Sequence, residues 1–235
     1  MTKENSFYQY CVQDTVLYMG ATEALRRGLA QIIAATQNGF LAYVPHSNLV
    51  MLAADTEAEA AALLTHTPAG VDLATVHAAW QVPLVQAALG LREGCNECYA
   101  AAYLHTQPLA VPQEVDIRPL NSSHHALVYE NYHLADDADY IAELLESGVM
   151  LGAFVDGAPA GFIGQHGEGS MGLLEVFPAF QRRGLAAALE SSLINRTLAK
   201  GQIPFCDVFC DNEASLRLQE KLQLTSSAGH RFWVF

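Results

Sequence analysis

The sequence predicts an α/β or α+β chain built in two halves, and three observations carry that reading. Apolar residues recur at spacings near 3.6 and near 2 in alternating stretches, which interleaves helices with strands along the whole chain. Gln107-Pro-Leu-Ala-Val-Pro-Gln113 carries two prolines and little to pack, so it reads as an extended linker between 1–106 and 114–235. Apolar residues make up 51% of the chain and charged residues 16%, enough for a sizeable core and too apolar for disorder.

In the first half the spacing predicts a helix over 22–36, strands over 40–44 and 48–54, and a helix opening at Thr56. A strand over 71–77, a helix over 81–90 and a strand over 96–105 follow. The second half begins with a strand over 115–118 and helices over 122–132 and 137–147, the latter opened by Asp136, Asp137 and Asp139. Strands over 150–156, 159–166 and 171–177 come next, the first two joined by a turn at Gly157. A long helix over 185–200, ended by Gly201 and Pro204, leads to a strand over 204–210, a helix over 213–223 and a last strand over 230–235. The halves share a rhythm. Val76-His-Ala-Ala-Trp80 leads into a helix and a Tyr/Ala-rich strand, as Val208-Phe-Cys-Asp-Asn212 leads into a helix and Arg231-Phe-Trp-Val-Phe235.

A net charge of −13 argues against nucleic acid and anionic membranes as partners and weakly favours a cationic substrate. Met1-Thr-Lys-Glu-Asn5 lacks the apolar core of a secretory signal, which makes the cytoplasm the expected location. The five cysteines, Cys11, Cys95, Cys98, Cys206 and Cys210, are odd in number, and the partner pair a zinc site would need with Cys95 and Cys98, Cys206 with Cys210, alternates along an apparent strand, not around a ligand loop. They read as reduced thiols, with no metal.

The stretch with chemical content is Leu173-Leu-Glu-Val-Phe-Pro-Ala-Phe-Gln-Arg-Arg-Gly-Leu-Ala186: a strand, a proline-marked bend, then a helix start. Gln181, Arg182, Arg183, Gly184, Leu185 and Ala186 present backbone N–H groups at the positive end of a helix. Gly184 leaves room for a close approach and Ala186 keeps the next turn thin, so the loop reads as a pyrophosphate cradle. The first half has no such loop. Strand 48–54 runs into Asp55-Thr-Glu-Ala-Glu59, whose carboxylates oppose an anion.

Gln181, Gly184 and Ala186 fit the pattern [Q/R]-x-x-G-x-[G/A], and on these residues the chain resembles the GNAT N-acyltransferase superfamily. Asn212-Glu-Ala-Ser215 resembles that family's next block, and Ile117-Arg-Pro-Leu120 its first strand. The two-half layout is similar to the glycine N-acyltransferase-like branch. The resemblance implies a mixed sheet splayed between strands 171–177 and 204–210, with a degenerate GNAT-like first half. It implies acetyl-CoA or another acyl-CoA as donor, held by Val176, Phe177, the loop 181–186, Asn212 and Ser215. The acceptor would be a primary amine of a small molecule or amino acid, attacking the thioester directly, and a homodimer fits the family. A protein N-terminus as acceptor, and a non-catalytic acyl-CoA-binding or regulatory protein, are the alternatives. The position where many members carry a thiolate-protonating Tyr is Gln219 here, which is no acid. Two carboxylates, Glu175 and Asp207, are the candidate bases, and the offset of Asp207 from Asn212 resembles that of a Glu in ribosomal-protein alanine acetyltransferases. His124, His125, His133 and His166 are further basic groups with no partner evident in the sequence.

Overall fold

The computed structural model describes residues 2–132 and 137–235, so His133 and Asp136 fall outside it. The first half runs α1 (Lys3–Cys11), α2 (Met19–Arg26), β1 (Gln31–Ala35), β2 (Gly39–Val44), β3 (Leu49–Ala54), α3 (Glu57–Leu64), β4 (Leu73–Val76), α4 (Gln81–Leu89) and β5 (Cys95–Ala102). The second runs β6 (Asp116–Pro119), α5 (His125–Asn131), α6 (Ala138–Glu146), β7 (Leu151–Val155), β8 (Ala158–Gln165), β9 (Met171–Val176), α7 (Leu185–Ala199), β10 (Phe205–Phe209), α8 (Glu213–Lys221) and β11 (Thr225–Val234). This is the mixed α/β architecture that the alternating periods indicate.

Three elements differ from the sequence reading. The helix expected over 22–36 ends at Arg26, because Gly28 turns left-handed (φ 73°), and the β-branched Ile32 and Ile33 then extend as β1. α1 has no counterpart in the sequence pattern read above; it buries Phe7, Tyr10 and Cys11 at helical spacing on an otherwise polar segment. β11 starts at Thr225, well before 230, because pairing with β5 from Ala102 onward extends a polar stretch that local propensity leaves open.

The eleven described strands form one sheet in the order β1-β2-β3-β4-β11-β5-β10-β9-β8-β7-β6. Each half contributes the same series, β3-α3-β4-α4-β5 and β9-α7-β10-α8-β11, with the first and second strands of each series parallel. The last strands change places. β5 leaves its own half to pair with β10, and β11 crosses to pair with β4, while β5 and β11 pair with each other at the centre. Neither half therefore owns a complete sheet.

Helices cover both faces. α1 and α2 pack Phe7, Tyr10 and Ala24 onto Phe40 and Met51, whereas Leu63 and Val85 of α3 and α4 pack on the opposite face with Leu41, Leu52 and Val76. In the second half α5 and α6 close over Phe162 and Leu173, and α7 over Ile163, Met171 and Val208. Leu185, Leu189 and Leu193 are buried at the four-residue steps read from the sequence, each burial contributing about 1.5–3 kcal/mol. The segment 103–115 has neither helix nor strand and is tied to α7 by Asn195, whose amide bonds both the N–H (2.7 Å) and the C=O (2.8 Å) of Leu109. Arg27, the C-cap of α2, fastens the halves together by donating to Gly169 O (2.8 Å) and Ile203 O (2.7 Å), and the buried Glu23 accepts from Ile203 N (3.0 Å).

Candidate active site

β9 and β10 touch at a single register pair, Met171 with Cys206 at their N-terminal ends, and diverge beyond it. The sheet opens there into a cavity of about 820 Å³. Residues 171–175 and 206–209 form its two edges, and Asn212, Ser215 and Gln219 of the α8 region and Glu190 of α7 line one side. Tyr132, Tyr140, His166 and Glu168 line the other, together with His46, Ser47 and Asn48 from the first half.

β9 carries a bulge here. Its register against β8 shifts between Phe162 and Gly164, and Leu173 sits at φ 53°. A branched residue in that region is strained, and bulges leave backbone groups outside the ladder. The bulge also reverses the strand's parity. Met171 packs with α7 while Leu173, two residues on, packs with α5 and α6. From Leu173 onward strict alternation resumes, so Phe177 lies against Phe162 in the α5–α6 layer and Glu175 faces the same way, close enough to Tyr132 to help raise its pKa.

Asp207 is on the corresponding face of β10 and is heavily engaged. Arg231 Nη1 donates to both its oxygens at 2.9 Å and Trp233 Nε1 donates to Oδ2 at 2.8 Å. The Asp207 and Arg231 side chains are 8% and 3% exposed, which makes this a buried ion pair between strands β10 and β11. Arg231 also donates to Leu17 O, and a Cβ on Gly20 would come within 2.7 Å of its Nη1, so Gly20 of α2 is what leaves room for it. Arg231 and Trp233 lie far from Asp207 in sequence, and no spacing signal could have named them.

The walls are acidic. Asp72, Asp137, Asp139, Glu143, Glu168, Glu175, Glu190 and Asp207 line the cavity, and no Lys or Arg does among the described residues. Burial, assisted by Glu175 and Glu168, pushes Tyr132 up to about 12. Burial with Glu168 and Tyr132 nearby raises Tyr140 further, so both phenols stay neutral. Tyr140 Oη hydrogen-bonds His166 Nδ1 at 2.6 Å, giving His166 the partner that its sequence context lacks. His124 bonds back to Asn121 as part of a capping box, and His125 bonds Ala138 O at 2.9 Å, so both serve local structure.

The loop before α7 lies outside the cavity lining, on the exposed surface. Gln181 reaches back to Val176 O (3.2 Å), Arg182 takes φ 60°, and Gly184, at φ 80°, is the N-cap. No side chain caps α7, so its first N–H groups stay open to a ligand. Asn212 caps α8 by accepting from Ser215 N at 3.0 Å, the role expected of it. The structure thus brings Glu175, Asp207, Asn212 and Ser215 to one cavity and leaves Val176, Phe177 and 181–186 at its rim or beyond. Uncapped N–H groups, a left-handed glycine and two arginines are a donor set that fits a pyrophosphate.

Elsewhere, Glu97, Cys210 and His230 bring a carboxylate, a thiol and an imidazole within 4.8 Å of one another at the end of the exchanged strands, where His230 Nδ1 already bonds Glu97. Those residue types could hold a metal ion.

Residues 148–234 match the family model described as FR47-like protein. A crystal structure of a Drosophila protein superposes with a TM-score of 0.71 at 16% identity, covering 100% of this chain and 96% of that one. A Novosphingobium aromaticivorans protein assigned to the GNAT family of acetyltransferases gives 0.57 at 15% identity, covering 92% and 94%. A GCN5-related N-acetyltransferase-like protein from Streptococcus suis gives 0.55 at 15%, covering 94% and 92%. No curated protein matches the sequence. The chain has the mixed α/β fold of the GNAT acetyltransferase structures.

Proposed function

We propose that the protein is a GNAT-type N-acyltransferase that moves an acyl group, acetyl in the simplest case, from coenzyme A to a primary amine. The observation that carries this reading is the single-pair contact between β9 and β10, which opens the sheet into an acid-walled cavity beside an uncapped helix start.

The donor's pyrophosphate would rest on the N–H groups of 181–186 with Arg182 and Arg183 adding charge, and its pantetheine on the backbone of 173–177 and beside Asn212 and Ser215. Coenzyme A supplies the thioester that the amine attacks. The acceptor enters from the side of Tyr140 and His166. A primary amine is mostly protonated at neutral pH, and the carboxylates around it hold the ammonium in place. Glu175, on the β9 edge of the gap, takes a proton so that the nitrogen lone pair can attack. Asp207, held by Arg231 and Trp233, contributes negative charge and holds the edge of β10 rather than shuttling protons. Among the described residues no Lys or Arg lines the wall to meet an acceptor carboxylate, which favours a simple amine over an amino acid. The first half is, on this reading, a copy that has lost coenzyme A and now forms part of the acceptor wall through His46–Asn48 and Asp72.

The test is thiol release from acetyl-CoA against a panel of amines, with coenzyme A affinity measured by calorimetry. Release with at least one amine is expected, and Glu175→Gln should lower kcat by about 10²–10⁴-fold at nearly unchanged KM for the donor. Tight coenzyme A binding with no release for any acceptor would instead favour a non-catalytic acyl-CoA-binding protein.

A further inference from the structure

The α7 side of the gap holds a carboxylic acid that no motif announces. Glu190 lies in the second turn of α7, 2% exposed, amid Leu189, Leu193 and Ile194, and it lines the same cavity as Glu175. A carboxylate so buried, with no cation paired to it among the described residues, is costly to ionise. Among the described residues its hydrogen-bond partner is Gln219 of α8, whose Nε2 donates to Oε2 at 3.3 Å. Gln219 is itself 4% exposed and accepts on its Oε1 from Cys206 Sγ of β10 (3.6 Å).

This chain of contacts fixes the acid's orientation. With Gln219 donating to Oε2, a proton on the other oxygen is free to be given away into the cavity.

We propose that Glu190 is the general acid of the reaction, giving its proton to the coenzyme A sulfur as the thioester C–S bond breaks. This rests on the acyl-transfer reading above. The amine nitrogen bonds the acyl carbon, the carbonyl re-forms, and the sulfur leaves with the C–S electron pair and takes the Glu190 proton to become the thiol. An ammonium acceptor sheds two protons on becoming an amide. One leaves through Glu175 to water, and the other restores the proton on Glu190, so the enzyme returns to its starting state. Burial pushes the Glu190 carboxyl up to about 7, with the Gln219 hydrogen bond opposing, so the acid form is present near neutrality. Of the titratable groups that share the cavity with it, those along the gap are Cys206 and Asp207 on β10, Cys98 on β5, Glu175 on β9, and Glu168 and His166 between β8 and β9, and the others are the acids, the phenols and His46 of the walls named above. Cys206 is held as a neutral thiol, its pKa raised chiefly by burial and then by Glu190.

The experiment is kcat against pH for the full-length chain, the Glu190→Gln variant and the Gln219→Leu variant, with the best amine from the panel. For the unmodified protein kcat should fall as pH rises through the Glu190 pKa, because the acid is lost. Glu190→Gln keeps the shape and the neutral hydrogen bond, so it should retain the fold and the donor KM while losing about 10²–10⁴-fold in kcat and the falling limb with it. Gln219→Leu removes the bond that holds the pKa down and should move that limb to higher pH. A folded Glu190→Gln protein within about twofold of the original kcat, or with the falling limb intact, overturns the proposal and leaves the acyl-transfer reading standing. An unmodified protein that releases no thiol with any amine overturns both.

Discussion

The same pair of parallel strands occurs twice in this molecule, closed in the first half and open in the second. β3 and β4 pair along four positions, from Leu49 with Leu73 to Leu52 with Val76. Past the last pair His77 Nδ1 bonds Leu52 O (2.9 Å), and Gln81 accepts from His77 N (3.0 Å) while donating to Ala54 O (2.8 Å). Burial holds His77 neutral, its pKa lowered to about 3. β9 and β10 have one pair and, among the described residues, no such brace. The helix starts differ in the same sense. Thr56 caps α3 by accepting from Glu59 N (3.2 Å), with Glu57 and Glu59 in the first turn, whereas Gly184 leaves α7 uncapped beside two arginines. One half has satisfied its own donors and closed its gap, and the other has left both open. On the proposed function, the same series of elements with opposite local satisfaction places the site with the unsatisfied groups, not with the topology.

The most severe way to break this comparison is to separate the halves. Expressed alone, 107–235 lacks β5, which bonds β10 along five positions, so β10 becomes a bare edge and β11 loses both of its strand partners. The fragment should fail to give a cooperative thermal transition, and co-expression with 1–106 should restore one. Fragments that fold separately would show that the strand exchange is dispensable.

Asp207→Ala should come next, at about 3–5 kcal/mol of unfolding free energy in a urea titration, because it strands a buried Arg231 whose Nε already has no partner among the described residues. A loss below about 1 kcal/mol would mean that water reaches the guanidinium.

Gly184→Glu bears directly on the open half. It should weaken coenzyme A binding about 100-fold or more, some 2.7 kcal/mol, through like charge at the cradle. Its positive φ adds about 1 kcal/mol of strain for any side chain, although no atom lies within 4 Å of a Cβ there. Gly184→Asn tolerates that φ and adds no charge, so it should bind more nearly as the original does. Equal calorimetric affinities for all three proteins would remove the loop 181–186 from the site.

The smallest effect is expected in the closed half. Gln81→Ala leaves Ala54 O and His77 N without partners and should cost about 1–3 kcal/mol of stability, with coenzyme A affinity unchanged. A change in that affinity would mean that the first half is coupled to the donor site after all.

Much of this was legible in the order of the residues. Alternating periods announced the mixed fold, Leu185, Leu189 and Leu193 announced the buried face of α7, and Asn212 announced a cap, because each is a local matter of spacing and hydrogen-bond geometry. Gln181 to Ala186 stood out because a helix start is built from consecutive residues. α1 and β1 were less visible, since a short amphipathic helix and a strand after a left-handed glycine give weak periodic signals.

Tertiary structure alone decided the rest. Nothing local says that β5 and β11 change places, because strand pairing is chosen by contacts across the whole sheet. Nothing local ties Asp207 to Arg231 and Trp233, joins Tyr140 to His166, or sets Glu190 beside Gln219 at a buried position that raises its pKa. Sequence by itself determined which groups this chain carries and which local structures they start. Their burial and their partners, and with them their charge and reactivity, follow from distances between residues far apart in the chain, because desolvation and pairing act through space.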